Sequence, residues 1–335
     1  MTTMLEVPWP EGLVPRPARY VAGPTDDVPH PDDLAAVVAL TRACDIAVVG
    51  EPDSGADDVA GMFTGPITDR EATQLVHDAE GRLAAFVWIE RDVEARETWV
   101  DVYVDPERAD PAVLDAGVAH GRRTALQHRA DAGGDDDWSL RSGCFAGDAP
   151  LVEALERAGF ERVRRFYRMS IDLDSPDVPA QAPALPEGAE LVVVRSDEER
   201  RRVYALRNAS FQDHWHDVPR EYDEWLAFHD PEIADPDGWW LLTVDGVDAA
   251  ICLMDESRAD LGGGYVRTLG VTREHRGRGL AALLLQRAFV YYRDKGRRTV
   301  QLGVDSESPT GADRLYARVG MSPLRVIDAW SLPIG

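Results

Sequence analysis

Residues 271–281 read Val271-Thr272-Arg273-Glu274-His275-Arg276-Gly277-Arg278-Gly279-Leu280-Ala281, and they run into the apolar helical pattern Ala282-Leu283-Leu284-Leu285-Gln286-Arg287-Ala288-Phe289. An apolar segment, Tyr265 to Val271, feeds this stretch. The pattern predicts a strand, a glycine-bearing turn and a helix. Gly277 and Gly279 remove side chains where the backbone must turn and expose its amides. The first amides of a helix lack internal partners and carry the positive end of the helix dipole. Arg276 and Arg278 add full charges. Together these features make a phosphate cradle.

A strand–glycine turn–helix unit serves several phosphate ligands. A Rossmann fingerprint needs Gly-x-Gly-x-x-Gly near the first strand of a parallel unit, with an acidic residue about 20 positions on. Here the glycines lie late in the chain, and Ala282 stands at the third position. A Walker loop needs Gly-Lys-Ser/Thr. Residue 280 is Leu, and the only lysine of the chain is Lys295. What remains is Arg276-x-x-Gly279-x-Ala281, preceded by Leu269-Gly270-Val271. The plain alternative is an ordinary strand–helix turn with surface arginines. The pattern resembles the acyl-CoA pyrophosphate loop of the GNAT N-acetyltransferases, Arg/Gln-x-x-Gly-x-Gly/Ala.

A second motif follows strand-like Thr299–Asp305. Ser308 before Pro309 is a helix start, a Ser cap with Pro at the first helical position, and Gly320 is a helix stop. Ala312-x-x-Leu315-Tyr316-x-x-x-Gly320-Met321 resembles the closing GNAT segment. The likeness covers residues 190–335. It departs at Ser308, where the family often carries the Asn that bonds the pantetheine arm.

The 335 residues favour two domains over one. The composition, 44% hydrophobic, supports ordinary cores. No stretch approaches the roughly 18 apolar residues of a membrane span. The N-terminal residues lack the basic and apolar regions of a signal peptide, and the expectation is a cytoplasmic protein without a membrane partner. Cys44, Cys144 and Cys252 are scattered singly, without metal or redox spacing, so no metal is expected. The net charge of −24 disfavours nucleic acid. It suits a cationic acceptor or a solvated acidic surface.

Residues 174–188 are Pro-rich and lack periodicity. The expected division is a first domain over 1–175, a linker over 176–188 and a second domain over 189–335. In the second domain, Trp239–Val244 and Ala249–Met254 flank the hairpin turn Asp245-Gly246. A strand over 264–271, the cradle, a helix over 279–295, a strand over 299–305, a helix over 309–319 and a strand over 324–333 follow. The first domain repeats the order, from helix Asp32–Arg42 through hairpin Glu80-Gly81 and helix Pro111–His128 to a closing strand Val163–Leu173. At the cradle position it has Asp105-Pro106-Glu107-Arg108-Ala109-Asp110-Pro111-Ala112: no glycine, three acids, and prolines that delete amides. The expected fold is α/β with a mixed sheet, as two tandem GNAT-like acyl-CoA N-acyltransferase domains, the N-terminal one degenerate. Such chains are similar to the actinobacterial mycothiol synthase group.

The resemblance implies acetyl transfer from acetyl-CoA, as co-substrate, to a small-molecule primary amine. Strand 264–271 would part from its neighbour after about Leu269, leaving Leu269, Gly270 and Val271 to pair with pantetheine. The pyrophosphate would sit on Arg276, Gly277, Arg278, Gly279, Leu280 and Ala281, with Ser308 near the pantetheine arm. Tyr316 would be the general acid. For the base, the strand before the cradle carries no acid. Asp255, Glu256 and His214 are the candidates, with Asp213 and His216 beside the last. Trp215, Trp225 and Trp239 are either pocket walls or core. The expected state is a monomer or homodimer. The competing function is an acyl-CoA-binding or protein-interaction module without turnover.

Overall fold

The structure, a computed structural model, describes residues 8–335 except 24–25, 109, 135–136, 213–214, 216–217, 219, 230–234, 308–311 and the side chain of Asp313. It divides into two units, one of Met1–Arg165 with Val326–Gly335 and one of Phe166–Arg325. The units therefore do not follow chain order. The strand expected to close the first domain, β8 (Glu161–Asp172), lies from Phe166 onward in the second unit. There it pairs antiparallel with β13 (Thr299–Asp305). The last strand, β14 (Ser322–Ile334), joins the first unit from Val326 and pairs with β7 (Trp138–Phe145).

In the first unit the sheet runs β1 (Val14–Pro17), β4 (Gln74–His77), β5 (Leu83–Asp92), β6 (Glu97–Val104), β7, β14. β2 (Tyr20–Ala22) and β3 (Asp27–Pro29) form a separate ribbon. Helices α1 (Pro31–Val49) and α2 (Ala56–Thr64) precede the hairpin of β4 and β5, and α1 outruns its expected end at Arg42 by seven residues before Gly50 stops it. α3 (Pro111–Asp131) and α4 (Ala149–Arg157) cover an apolar cluster that includes Val100, Val102, Leu140 and Trp330.

In the second unit the order is β8, β13, β12 (Gly263–Val271), β11 (Val247–Asp255), β10 (Trp239–Val244), β9 (Ala189–Val193). The hairpin of β10 and β11 turns on Asp245 and Gly246, both at positive φ (50° and 77°), as the Asp-Gly pair demands. Helix α5 (Asp197–Phe211) starts in a capping box in which Ser196 and Glu199 satisfy each other's amides. It is followed by the short α6 (Tyr222–Ala227). Helix α7 (Leu280–Asp294) buries Leu280, Leu284, Leu285, Ala288, Phe289 and Tyr292, a stripe at helical spacing.

Strand β11 is buried on both faces, and its alternation sorts the core. Ala250, Cys252 and Met254 pack with α7 and Tyr316. Ile251 and Leu253 pack with Trp225, Trp239 and Val203. Trp225 and Trp239 are 3% and 2% exposed, so both are core and not pocket walls. The Pro-rich segment is strapped to α7: Arg287 donates to the Pro183 carbonyl, Arg293 donates to the carbonyls of Pro179 and Ala180, and Val178 is buried.

Candidate active site

Strands β12 and β13 are parallel and pair at three positions only, Gly263–Thr299, Gly264–Val300 and Tyr265–Gln301. They then part. The parting begins four residues before Leu269, and a bulge accompanies it on the other side of β12. There Leu253 pairs with Thr268 while Met254 pairs with Val266, leaving Arg267 as an extra residue. Such a bulge bends and twists its strand.

Backbone polar groups alternate sides along a strand. The Thr272 amide donates to Ala249 of β11 at 3.0 Å. Gly270 therefore faces β11 as well, and the amides of Leu269 and Val271 face the edge that β13 has left. Gly270 has a packing role: a Cβ there would lie 3.2 Å from atoms of Ile251, Phe211 and Ser210. It lets α5 seat on the sheet, while Leu269 and Val271 supply the free edge.

The cradle follows at once. A single 3-10 turn, Arg273–His275, starts from Thr272, whose hydroxyl also meets His275 Nδ1 at 2.8 Å. Gly277 and Gly279 adopt φ of 75° and 79°, values that cost a residue with a Cβ about 1–2 kcal/mol. A Cβ on either would meet nothing within 4 Å, so the face above them is open. Among the described residues no backbone carbonyl accepts from the amides of Gly277 through Ala282; the first helical bond is Leu283 to Gly279 at 3.0 Å. Arg276 braces the loop: its guanidinium donates to the carbonyls of Ser210 (3.1 Å) and Val271 (3.3 Å). Arg278 is exposed and makes no hydrogen bond or ion pair to any described residue.

Tyr316 sits on α8 (Ala312–Arg318), 8% exposed, in the cluster with Cys252. Burial, with Cys252 and Tyr265 nearby, pushes its phenol up to about 12. Its hydroxyl bonds to no described residue. The cap residues Ser308 and Pro309 lie outside the described residues.

The carboxylates expected as bases are occupied. Asp255 is 3% exposed and accepts from Arg267 Nε (2.6 Å), the Ser257 hydroxyl (2.7 Å) and the Ser257 amide (3.0 Å). Glu256 accepts from Arg297 Nε and Nη2 (2.9 and 2.6 Å) and forms an ion pair with Lys295. Lys295 caps the far end of α7, about 20 Å from the cradle at 1.5 Å per residue. Glu256 is thus placed away from the cradle. His214, Asp213 and His216 lie outside the described residues. Among those described, no group of three or more His, Cys, Asp or Glu could hold a metal ion.

One histidine escaped the sequence reading. His229 follows α6 and stacks on Trp225, with ring centroids 5.2 Å apart and planes 20° apart. Its Nδ1 is 3.0 Å from the Trp225 carbonyl. The four-residue spacing of Trp225 and His229 was the available signal, one helical turn on one face.

A mixed sheet with one bulged, parted strand feeding a glycine cradle defines an acyl-CoA-type acyltransferase fold. Residues 200–321 match the family model described as the acetyltransferase (GNAT) family. It is 28% identical over 197 residues to a mycothiol acetyltransferase of Beutenbergia cavernae, covering 57% of this chain and 65% of that one. It is 29% identical over 301 residues to the mycothiol acetyltransferase of Salinispora arenicola, covering 87% and 91%. Among the first relatives, then, the match spans somewhat less than two thirds of the relative's length, and in others nearly all of it. A solved GCN5-related N-acetyltransferase from Sphaerobacter thermophilus superposes with a TM-score of 0.78 at 28% identity, over 98% of this chain and 97% of that one. No helix among the described residues is long and apolar enough to cross a membrane.

Proposed function

We propose that the chain transfers an acetyl group from acetyl-CoA directly to a primary amine of a small molecule, and that the second unit alone carries the chemistry. The carrying observation is the parting of β12 from β13 at Tyr265, which opens a free strand edge leading into a cradle of unpaired amides.

The residues present fit acetyl-CoA. The amides of Gly277 through Ala281 and the start of α7 would hold the pyrophosphate, with Arg278 adding charge from solvent. Leu269 and Val271 would pair with the amide-bearing arm as a further strand. A free amide on that edge would face the thioester oxygen as negative charge develops on it. The amine lone pair attacks the carbonyl carbon, the C–N bond forms, and the C–S bond breaks with its electrons on sulfur. Tyr316 keeps its proton over the whole working range, because burial raises its phenol. It hydrogen-bonds the departing sulfur and hands over its proton as negative charge builds there, and solvent water reprotonates the phenolate after the thiol leaves.

The likeness to mycothiol acetyltransferases makes a thiol-bearing amino sugar the first acceptor to try; an aminoglycoside, a polyamine and a peptide N-terminus complete the panel. The test is thiol release from acetyl-CoA with each amine. Amine-dependent release, lost in Tyr316→Phe with acetyl-CoA binding kept, supports the reading. A second reading, an acyl-CoA-binding module without turnover, draws on the engagement of Asp255 and Glu256 in ion pairs. Tight acetyl-CoA binding with no release on any amine would establish it.

A further inference from the structure

We propose that His229 is the proton acceptor for the attacking amine, through Nε2; this rests on the acetyltransferase reading above. An amine must lose one proton as it forms the C–N bond, and the carboxylates next to the bulge are already engaged in ion pairs. Both Asp255 oxygens accept from Arg267 and Ser257, and Glu256 is held by Arg297 and Lys295.

His229 is built for the role by its partners. The Trp225 carbonyl can only accept, so the proton of the neutral ring is on Nδ1. The lone pair is then on Nε2, which bonds to no described residue. The stack on Trp225 fixes the ring plane, and Trp225 is anchored in the core against Trp239 and Tyr204. A backbone carbonyl thus does what a carboxylate does in other histidine bases, setting the tautomer and the orientation.

Its position fits as well. The charged groups that face it are Arg267, Arg207 and Asp255. Arg267 is the bulge residue, bonded to Asp255 and lying 5.5 Å over the ring of Tyr265. Tyr265 ends the paired part of β12. The imidazole is thus within electrostatic reach of Asp255 and Arg267, which flank the parting, and it stacks on Trp225, which packs with Leu253 of β11. Burial, the largest cause, and the two guanidiniums hold the ring down to about 4, against the pull of the Trp225 hydrogen bond and Asp255, so the ring is neutral in the neutral range. The proton it takes passes to solvent water after the amide product leaves, which restores the lone pair.

The experiment measures kcat, KM and acetyl-CoA affinity for the wild type, His229→Gln and His229→Gly, with the best amine of the panel, and repeats His229→Gly with added imidazole. The expected result is a fall in kcat of about 100-fold in both variants, acetyl-CoA affinity within threefold of wild type, and at least tenfold recovery of His229→Gly by imidazole. A kcat within threefold of wild type in His229→Gln would overturn the assignment. So would a loss that imidazole leaves untouched and that extends to acetyl-CoA binding, which would make the residue a structural one. A wild type that binds acetyl-CoA but acetylates no amine would instead overturn the acetyltransferase reading.

Discussion

In the second unit β12 and β13 pair at three positions and part after Tyr265 and Gln301. In the first unit β6 and β7 also pair in parallel at three positions and part after Trp99 and Arg141. Two residues beyond the last pair, the second unit has Arg267 and Gly303, and the first has Asp101 and Gly143. There the likeness ends. The β5–β6 ladder runs from Ala85–Val104 to Asp92–Glu97 without a slip, so β6 carries no bulge. Asp101 Oδ1 reaches across and accepts the Gly143 amide at 3.1 Å. A side chain thus bridges strands whose backbones have separated, at the place where the second unit leaves its edge open. The two helix starts differ in the same sense. Gly279 leaves the α7 amides unclaimed, while Asp110 caps α3 with its own carboxylate, accepting from Ala112 at 2.9 Å, and Pro111 has no amide to give. One topology can thus hold a ligand or seal itself, and one bulge, two glycines and two aspartates separate the outcomes.

Five substitutions probe that difference, from the largest effect down. Gly279→Glu puts a Cβ at φ 79° and a carboxylate into the cradle. Acetyl-CoA affinity, measured by calorimetry, is expected to fall more than 100-fold, with the melting temperature little changed. Tyr316→Phe is expected to lower kcat about 100-fold, within the range of acid–base catalysis. Because the hydroxyl has no described partner, stability should change by less than about 0.5 kcal/mol, which thermal unfolding checks. Arg276→Ala removes the two carbonyl bonds that brace the loop, and acetyl-CoA should bind about 5–10-fold more weakly, equivalent to about 1 kcal/mol.

The fourth substitution tests the seal. Burial raises the Asp101 carboxyl to about 6, above its unfolded value of about 3.9. Between those values the native state binds more protons than the unfolded one, so this residue's contribution makes stability fall as pH rises from about 4 to 6. Asp101→Asn keeps the acceptor for Gly143 and removes the titration. It should be more stable than wild type at pH 8, and the gap should close only below about pH 4, under the unfolded value, as read from melts at pH 8 and pH 3.5. It should not create an acetyl-CoA site, because residues 105–112 still lack a cradle. Asp110→Ala, the smallest effect, loses a helix cap and about 1 kcal/mol, shifting the melting temperature by a few degrees and leaving acetyl-CoA binding untouched.

Much of this comparison was legible in the chain. Glycine at 277 and 279 against proline and acid at 105–112 distinguishes the helix starts by local chemistry alone, and the Asp245-Gly246 hairpin and the α7 stripe are equally local. The exchange of closing strands was not legible. Val163–Leu173 and residues 324–333 read alike as strands, and alternation says which face a residue takes but not which neighbour a strand chooses. The bulge at Arg267 is visible only once β11 is laid beside β12. The engagement of the carboxylates was hidden for a related reason. Asp255 and Glu256 look available in sequence, but their arginines arrive 12 and 41 residues later, from β12 and beyond α7. For His229 the spacing from Trp225 is legible, but the tautomer is set by a backbone carbonyl, which residue types do not record.

The central claim is that only the parted strand of the second unit receives acetyl-CoA, and calorimetric titration of acetyl-CoA into the full chain tests it most directly. The account predicts one site per chain, abolished by Gly279→Glu and unaffected by Asp101→Asn. Two sites per chain, or a single site that survives Gly279→Glu, would contradict it.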